Sequence, residues 1–180
     1  MILNQIAKRY ARALILVAND AGKVDEFGAH LNSFLTVCEQ NPALLLTLAN
    51  KFFDLTARKR VLDDVCDKLA APKEFHSFLK LLLQKGRIGI LVEVADAYKE
   101  LSNELMGRQV ITVVSAQELG ASQYQDISDM FGKKFGKTIL LSKKIDRTVL
   151  GGARVHLGDK VYDYTLSHQI RQIGERMAAK

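Results

Sequence analysis

The segment of this chain that comes nearest to a known chemical motif contains Gly132, Gly136, Lys137 and Thr138. A P-loop ends in the same Gly-Lys-Thr order and cradles phosphate groups with its backbone N–H groups. That motif has four residues between its glycines and lies between a strand and a helix whose N-terminus faces the phosphates. Here three residues separate the glycines, and the apolar pattern predicts a helix first and a strand second. We therefore interpret the segment as a helix C-terminus. Glycine ends the helix there, and the positive charges of the lysines interact favourably with the negative end of the helix dipole.

Other side chains that could bind a metal or transfer protons lack the spacing that this chemistry requires. An acidic cluster is formed by Asp63, Asp64 and Asp67. Basic residues at 58–60 lie within a turn or two of it, which predicts i,i+4 ion pairs on a solvated helix face. The histidines show no i,i+4 pairing and are expected at the surface or at edges: His30, His76, His156 and His168. We predict no catalytic residue, no metal site and no cofactor.

Two cysteines, Cys38 and Cys66, fall on apolar positions of predicted helices. They have neither CxxC spacing nor a neighbouring histidine pair, which a zinc site would need. Free cysteine commonly packs as a small apolar group. We expect both thiols to be reduced, buried and structural.

Length and composition are those of a soluble globular protein, with 180 residues, 48% apolar and 26% charged. No apolar run approaches the roughly 18 residues that span a bilayer. The N-terminus lacks the basic-then-apolar order of a secretory signal. The sequence therefore predicts a cytoplasmic protein without direct membrane insertion.

Residues 1–106 are predicted to form a six-helix bundle domain. In the first helix Ile6, Tyr10, Leu14 and Val17 recur at steps of four, four and three, which is one helical face. Further apolar faces follow at 27–38, 44–48, 61–69, 75–82 and 88–105, separated by short connections. Thr56 is expected to cap the fourth helix, and Pro72 is expected in the first turn of the fifth.

Residues 107–180 are predicted to form a small α/β domain, so that the fold class is α+β with two domains. β-branched and alternating segments predict strands at 110–114, 139–142, 153–157 and 161–164, with a turn at Gly158-Asp159. Ser122 with Gln125 is interpreted as a capping box for an intervening helix. The last helix is predicted to start near Thr165, with one apolar face: Leu166, Ile170, Ile173 and Met177.

The positive charge of the chain is concentrated in the second domain. Residues 1–107 carry 14 Lys/Arg against 13 Asp/Glu, whereas residues 108–180 carry 12 against 7. An excess of this size favours an acidic partner. One alternative is therefore a nucleic-acid-binding protein, with Tyr162 and Tyr164 as candidate stacking residues. The others are an anionic lipid surface, contact with an acidic protein segment, and charges that are simply solvated.

Four stretches of the sequence resemble the δ subunit family of bacterial F-type ATP synthase, which includes the mitochondrial oligomycin-sensitivity-conferring subunit. Residues 6–14 are similar to the first helix of the family, 81–87 to its turn between helices five and six, and 113–116 to its strand-to-helix junction. The fourth stretch matches the family signature by spacing: Ile139, Leu141, Ile145, Asp146, Val149, Gly151, Gly152, Val155 and Gly158, followed by Val161 and Asp163. Tyr164-Thr165 stands where many members have a small residue and a serine.

The resemblance implies a non-catalytic stator subunit, peripheral on the cytoplasmic side of the bacterial inner membrane. It implies that domain 1–106 binds the α3β3 head, also called the F1 head, and receives an α-subunit N-terminal helix between helices one and five. It also implies that domain 107–180 holds the C-terminal end of the b-subunit stalk. The positions matching the helix groove are Tyr10, Ala13, Leu14, Val17, Phe78, Leu79 and Leu82. The candidate stalk contacts are Lys143, Lys144 and Arg154.

Overall fold

The computed structural model describes residues 2–158 and 160–178, with the side chains of 2–4, 173–176 and 178 excepted. The chain divides into two compact units, Met1–Ser102 and Asn103–Lys180. The described residues contain eight α-helices and a four-stranded mixed sheet, which is an α+β fold. None of the described helices is both long enough and apolar enough to cross a bilayer.

The N-terminal unit is helical, and its helices follow the apolar periodicity of the sequence. A 3-10 turn, Ile88–Ile90, leads directly into the last helix. The helices are α1 (Ile2–Asp20), α2 (Val24–Gln40), α3 (Pro42–Ala49), α4 (Leu55–Lys68), α5 (Lys73–Gln84) and α6 (Leu91–Leu105).

The core of this unit is made mainly of aromatic and leucine side chains that are fully buried. The rings of Phe27 and Phe75 meet edge-on with 6.2 Å between their centroids. The buried hydroxyl of Tyr98 donates a hydrogen bond to the carbonyl of Val24 at 2.8 Å, which joins α6 to the start of α2. Small residues on the buried face of α1 allow its backbone to approach its neighbours closely. These residues are Ala7, Ala11 and Ala18.

The predicted starts of α4 and α5 both differ from the structure. Asp54, not Thr56, caps α4, because its carboxylate accepts the N–H groups of Thr56 and Ala57 at 2.9 and 3.2 Å. A carboxylate at this end also interacts favourably with the helix dipole. Pro72 is the residue before α5 rather than part of its first turn, and the helix begins at Lys73.

The C-terminal unit is a four-stranded sheet with two helices. The strand order is β2-β1-β3-β4, with β1 and β2 parallel and the other two pairs antiparallel. The elements are β1 (Arg108–Ser115), α7 (Ala121–Phe135), β2 (Thr138–Ile145), β3 (Ala153–Leu157), β4 (Lys160–Asp163) and α8 (Leu166–Ala178). Two expectations fall on parts of the chain outside the described residues: Asp159 of the predicted turn and the side chain of Ile173.

The start of α7 differs from the predicted capping box. The side chain of Gln123, not that of Gln125, accepts the backbone N–H of Gly120 at 2.9 Å. Gln125 instead donates to the carboxylate of Asp129 one turn further along the helix, at 2.9 Å. The prediction was wrong because Ser122 lies inside the helix, where its hydroxyl is not in the capping position.

The two glycines of the family-like signature are explained by a close approach of the chain to itself. Gly152 has φ +79, and a Cβ added there would overlap the carbonyl oxygen of Tyr164. The carbonyl of the preceding Gly151 accepts the N–H of Leu166 at 3.0 Å. Only glycine satisfies both the left-handed backbone and the missing space. The pair therefore fixes the connection between β4 and α8 against the loop before β3.

A hydrogen-bond network caps α8 in the same place. The carboxylate of Asp163 accepts the hydroxyl and the backbone N–H of Thr165 at 2.6 and 3.0 Å. The hydroxyl of Thr165 in turn accepts the N–H of His168 at 3.3 Å, which is the bond of an N-cap residue. Thr165 is fully buried. The threonine therefore performs the capping role in this chain.

Candidate functional site

The P-loop-like segment is the C-terminal end of a helix, as predicted. Gly136 follows α7 with φ +63, and its N–H donates to the carbonyl of Gly132 at 2.8 Å. Lys133 and Lys134 lie in the last turn of the helix. The N-terminus of α7, which would have to face a phosphate in a P-loop, lies at the other end of the helix. This segment offers no phosphate cradle.

The acidic cluster on α4 pairs with α5 rather than with the basic residues of its own helix. Asp63 forms an ion pair with Lys80 at 2.8 Å, and the ring of His76 lies 3.8 Å from both Asp63 and Asp67. Arg58, expected to pair with this cluster, is buried elsewhere. The prediction of i,i+4 pairs was therefore wrong for Asp63 and Asp67, because the packing of α4 against α5 places His76 and Lys80 opposite them. His76 is also largely buried rather than on the surface.

Both cysteines are free and buried, as expected. Burial is the main cause that raises the pKa of the Cys66 thiol to about 12, and the carboxylates of Asp63 and Asp67 act in the same direction. Burial, with Glu39 nearby, also raises the pKa of Cys38. A thiol must lose its proton to act as nucleophile or metal ligand, and these two resist that loss. Within the described part of the chain, no three His, Cys, Asp or Glu side chains are placed to hold a metal ion.

The residues proposed for a helix groove divide between the core and the surface. Leu14, Leu79 and Leu82 are buried in the core of the N-terminal unit, where they contact its own side chains. Tyr10 is half-buried, and its ring meets that of Phe78 with 6.5 Å between centroids, so α1 and α5 are neighbours there.

Ala13 and Val17 are the solvent-facing members of this set. Both lie on α1 next to the half-buried Tyr10, and Val17 is 43% exposed. Because side chains three and four apart share one side of a helix, these three residues form a continuous stripe. The stripe lies along the edge of α1 that borders α5.

A further residue on α5 belongs to this surface and was not predicted as a site residue. Leu81 is 42% exposed and lies three positions after Phe78, on the same side of α5. Leu79 and Leu82 point into the core instead. The sequence alone could not tell which apolar residues of α5 face the core and which face solvent, because all four fit an amphipathic pattern: Phe78, Leu79, Leu81 and Leu82. We name the surface formed by Tyr10, Ala13, Val17, Phe78 and Leu81 the α1–α5 stripe.

The three basic residues proposed to contact the stalk lie on opposite faces of the sheet. In the strand register, Lys144 and Arg154 both lie beside Val114, so they share one face. Lys143 pairs with Val113 on the face that α7 covers, and its Nζ lies 4.2 Å from the centre of the Tyr124 ring. The residues therefore do not form a single patch.

Arg154 is also engaged within the unit. Its Nε donates to the carboxylate of Asp163 at 3.1 Å. The hydroxyl of Thr165, its backbone N–H and this guanidinium together lower the pKa of Asp163 to about 2. Lys144, in contrast, is exposed and has no ion-pair partner among the described side chains. Of the three basic side chains, Lys144 is therefore the most available to a partner.

The face that carries Lys144 also presents apolar side chains to solvent. Leu140 and Val161 lie on it by register, and both are exposed. On α8 an apolar side of the helix is exposed as well, with Ile170 67% accessible. Its other described members are Leu166 and Met177. An amphipathic helix and a sheet face left open in this way are typical of surfaces that bind another protein.

Tyr162, one of the two rings considered for stacking on nucleic-acid bases, is not free to do so. It packs edge-on against Phe131 with 5.3 Å between centroids, and the Nζ of Lys134 lies 4.4 Å from its own centroid. A base needs an open aromatic face on which to stack. The lysine occupies the position that a base would take, and nothing observed supports the nucleic-acid alternative.

Two compact units that each leave apolar side chains exposed in a stripe are typical of a protein that binds other proteins. Residues 6–177 match the family described as the ATP synthase delta (OSCP) subunit. This chain belongs to that family. The prediction made from the four sequence stretches is confirmed, and the protein is a stator subunit of the ATP synthase peripheral stalk.

Similar proteins extend over nearly the same length. ATP synthase subunit delta of Geotalea uraniireducens (strain Rf4) is 32% identical over 173 residues, which is 96% of each chain. ATP synthase subunit delta of Geobacter metallireducens (strain ATCC 53774 / DSM 7210 / GS-15) is 34% identical over 175 residues, again 96% of each. A chain of the Toxoplasma gondii mitochondrial ATP synthase hexamer is 17% identical with a TM-score of 0.67, covering 97% of this chain and 98% of that one. The last similarity shows the shared fold.

Proposed function

We propose that this protein, itself non-catalytic, links the α3β3 head of an F-type ATP synthase to the C-terminal end of its b-subunit stalk. In this role it lies peripherally on the cytoplasmic side of the bacterial inner membrane. The six helices of domain 1–106 form the bundle that binds the head, and domain 107–180 binds the stalk. The observation that carries the proposal is the exposed α1–α5 stripe in a chain that belongs to this family.

On the head side, the partner is the N-terminal helix of an α subunit. Amphipathic helices bind by laying an apolar face into an apolar groove. Ala13 has a side chain of one methyl group, so a partner helix can approach the backbone of α1 closely at this point. Val17 and Leu81 offer exposed apolar surface on either side. Leu14, Leu79 and Leu82 support the stripe from within the core and do not themselves touch the partner.

On the stalk side, the partner meets the sheet face that carries Lys144, Leu140 and Val161, together with the exposed side of α8. The excess of basic residues in this unit favours a stalk end with acidic residues around its apolar contacts. Arg154 contributes by ordering Asp163 and the start of α8. Lys143, on the covered face of the sheet, contributes to packing against Tyr124 rather than to the contact.

The experiment is reconstitution of the full-length chain with the α3β3 head and with the soluble part of the b subunit, separately and together. We expect a complex with one copy of this chain per head that also retains the b subunit. Stator function requires the chain to resist elastic torque, so we expect affinity in the nanomolar range, about 12 kcal/mol. Binding to neither component at micromolar concentration would contradict the proposal.

A further inference from the structure

The connection between α3 and α4, residues 50–54, presents an aromatic side chain completely to solvent. Phe52 is 99% exposed, and the adjacent Phe53 is 51% exposed. Burial of a phenylalanine ring is strongly favourable, and large aromatic residues are among those that dominate binding when they enter a partner's pocket. A ring left wholly in water at the tip of a short connection is therefore a candidate contact residue.

This connection has a defined conformation despite its exposure. The buried guanidinium of Arg58 donates to the carbonyl of Phe53 at 3.1 Å and to the carbonyl of Leu48 at 3.2 Å, which joins its two ends. The side chain of Asn50 accepts the N–H of Phe52 at 3.0 Å. Asp54 accepts the first N–H groups of α4. The backbone that carries Phe52 is thus ordered before any partner arrives, which lowers the backbone entropy lost on binding.

Basic side chains surround the aromatic tip on one side. The aliphatic part of Lys51 lies over the turn after α5, where a Cβ added to Gly86 would be 2.8 Å from its Cε. Lys85 and Arg87 flank that glycine, and both are exposed. Within the described residues none of the three forms an ion pair. Their charges are available to an acidic partner.

This basic–aromatic tip, defined as Lys51, Phe52, Phe53, Lys85 and Arg87, continues the α1–α5 stripe. Phe78, Leu81 and Lys85 are spaced three and four apart, so they follow one another along the same side of α5. A partner that lies against Leu81 and extends past the end of α5 therefore reaches Lys85 and then Lys51. The basic–aromatic tip therefore lies next to the α5 end of the α1–α5 stripe.

We propose that the basic–aromatic tip is a second docking contact with the α3β3 head, at an acidic surface that contains an apolar pocket for Phe52. This inference rests on the proposed function and adds a contact beyond the helix groove. An anionic membrane also attracts lysine and phenylalanine. A fluid bilayer, however, gains little from an ordered backbone at the tip, whereas a shaped protein pocket gains from a backbone that Arg58 already holds in place.

The test uses the full-length chain, the purified α3β3 head and a synthetic peptide of the α-subunit N-terminus. We expect Phe52→Ala to weaken binding to the head at least tenfold and to leave binding of the peptide unchanged. Leu150→Ala, which removes an equally exposed apolar side chain from the other unit, should bind the head as the unaltered chain does. The combined variant Lys51→Gln, Lys85→Gln and Arg87→Gln should bind the head more weakly and with a smaller dependence on salt.

The outcomes separate this inference from the function on which it rests. Head binding by Phe52→Ala equal to that of the unaltered chain would overturn the tip contact and leave the stator assignment standing. An unaltered chain that fails to bind the head would overturn both. Sedimentation with vesicles of phosphatidylglycerol that is lost in Phe52→Ala, while head binding persists, would replace the protein partner with a membrane surface and also overturn the inference.

Discussion

The ring of Tyr10 on α1 meets the ring of Phe78 on α5 edge-on, with 6.5 Å between centroids and 70° between planes. This arrangement places the positive edge of one ring against the negative face of the other, which adds to the energy of burying both. Tyr10 remains half-exposed while Phe78 is nearly covered. The contact therefore forms the floor between α1 and α5, and the residues beside it on either helix are the ones that a partner can reach.

Substituting Ala13→Asp tests the groove directly. The residue is exposed, so we expect the fold to persist, while a carboxylate facing the apolar side of a bound helix loses hydration without gaining a partner. Binding of the α-subunit N-terminal peptide, followed by calorimetry, should weaken tenfold or more, about 1.4 kcal/mol. Asn19→Asp places the same charge elsewhere on α1 and serves as the control. Unchanged affinity in folded Ala13→Asp would remove this residue from the site.

Two leucines of α5, only two residues apart, are expected to give opposite results. Leu79 is fully buried, and Leu79→Ala should lower the free energy of unfolding by about 2–5 kcal/mol because it leaves a cavity. Leu81 is 42% exposed, so Leu81→Ala should lower the free energy of unfolding by about 1 kcal/mol or less while weakening binding of the α-subunit peptide. Urea denaturation and calorimetry on both variants give the comparison. Equal loss of stability in the two would show that Leu81 is not a surface contact.

The glycine pair gives a prediction about the C-terminal unit. Gly152→Ala should destabilise it strongly, because the added methyl group would meet the carbonyl of Tyr164 in addition to straining the backbone. Gly158→Ala is the matched control: its φ is +54, but a Cβ there has open space, so only the backbone cost of about 1–2 kcal/mol applies. Amide hydrogen exchange in β3 and β4 measures both. A smaller effect at Gly152 than at Gly158 would contradict the close approach.

Acid sensitivity of the same region follows from Asp163. Its pKa is lowered to about 2, first by the hydroxyl of Thr165, so the folded state prefers the carboxylate. A lowered pKa contributes stability above the unfolded value near 3.8 and loses it as pH falls through about 2. We expect Asp163→Asn to destabilise the unit at pH 5, with the difference from the unaltered chain shrinking towards pH 2.

An NMR titration of the Asp163 carboxyl group, with unfolding monitored by the amide signals of β3 and β4, measures this effect. Asp126→Asn, which removes an exposed carboxylate from α7, is the control for the loss of one negative charge. A carboxyl group of Asp163 that titrates near its ordinary pKa would show that the Thr165 and Arg154 contacts do not stabilise the charge.

The periodicity of apolar residues predicted the helices and strands. Each element needs one apolar side, and this requirement fixes the spacing of apolar residues over a few positions of the sequence. Periodicity did not predict every helix start. Asp54 and Thr56 are both acceptable capping residues, and only the bend of the chain brings the Asp54 carboxylate over the first N–H groups of α4. The pairing of Asp63 was likewise missed, because Lys80 is distant in sequence and arrives only when α4 and α5 pack together.

In the candidate site, too, some features follow from the sequence and others only from tertiary packing. The sequence by itself determined the family, through residues whose spacing is required by close backbone approaches such as that of Gly152 to Tyr164. It also determined that α5 has an apolar side. Only the tertiary structure decided that Leu79 lies in the core and Leu81 in solvent, because the neighbour of each side of a helix depends on how the helices cross. The register of β1 with β2 and β3 similarly decided that Lys144 shares a face with Arg154 while Lys143 does not, since adjacent residues of a strand point in opposite directions.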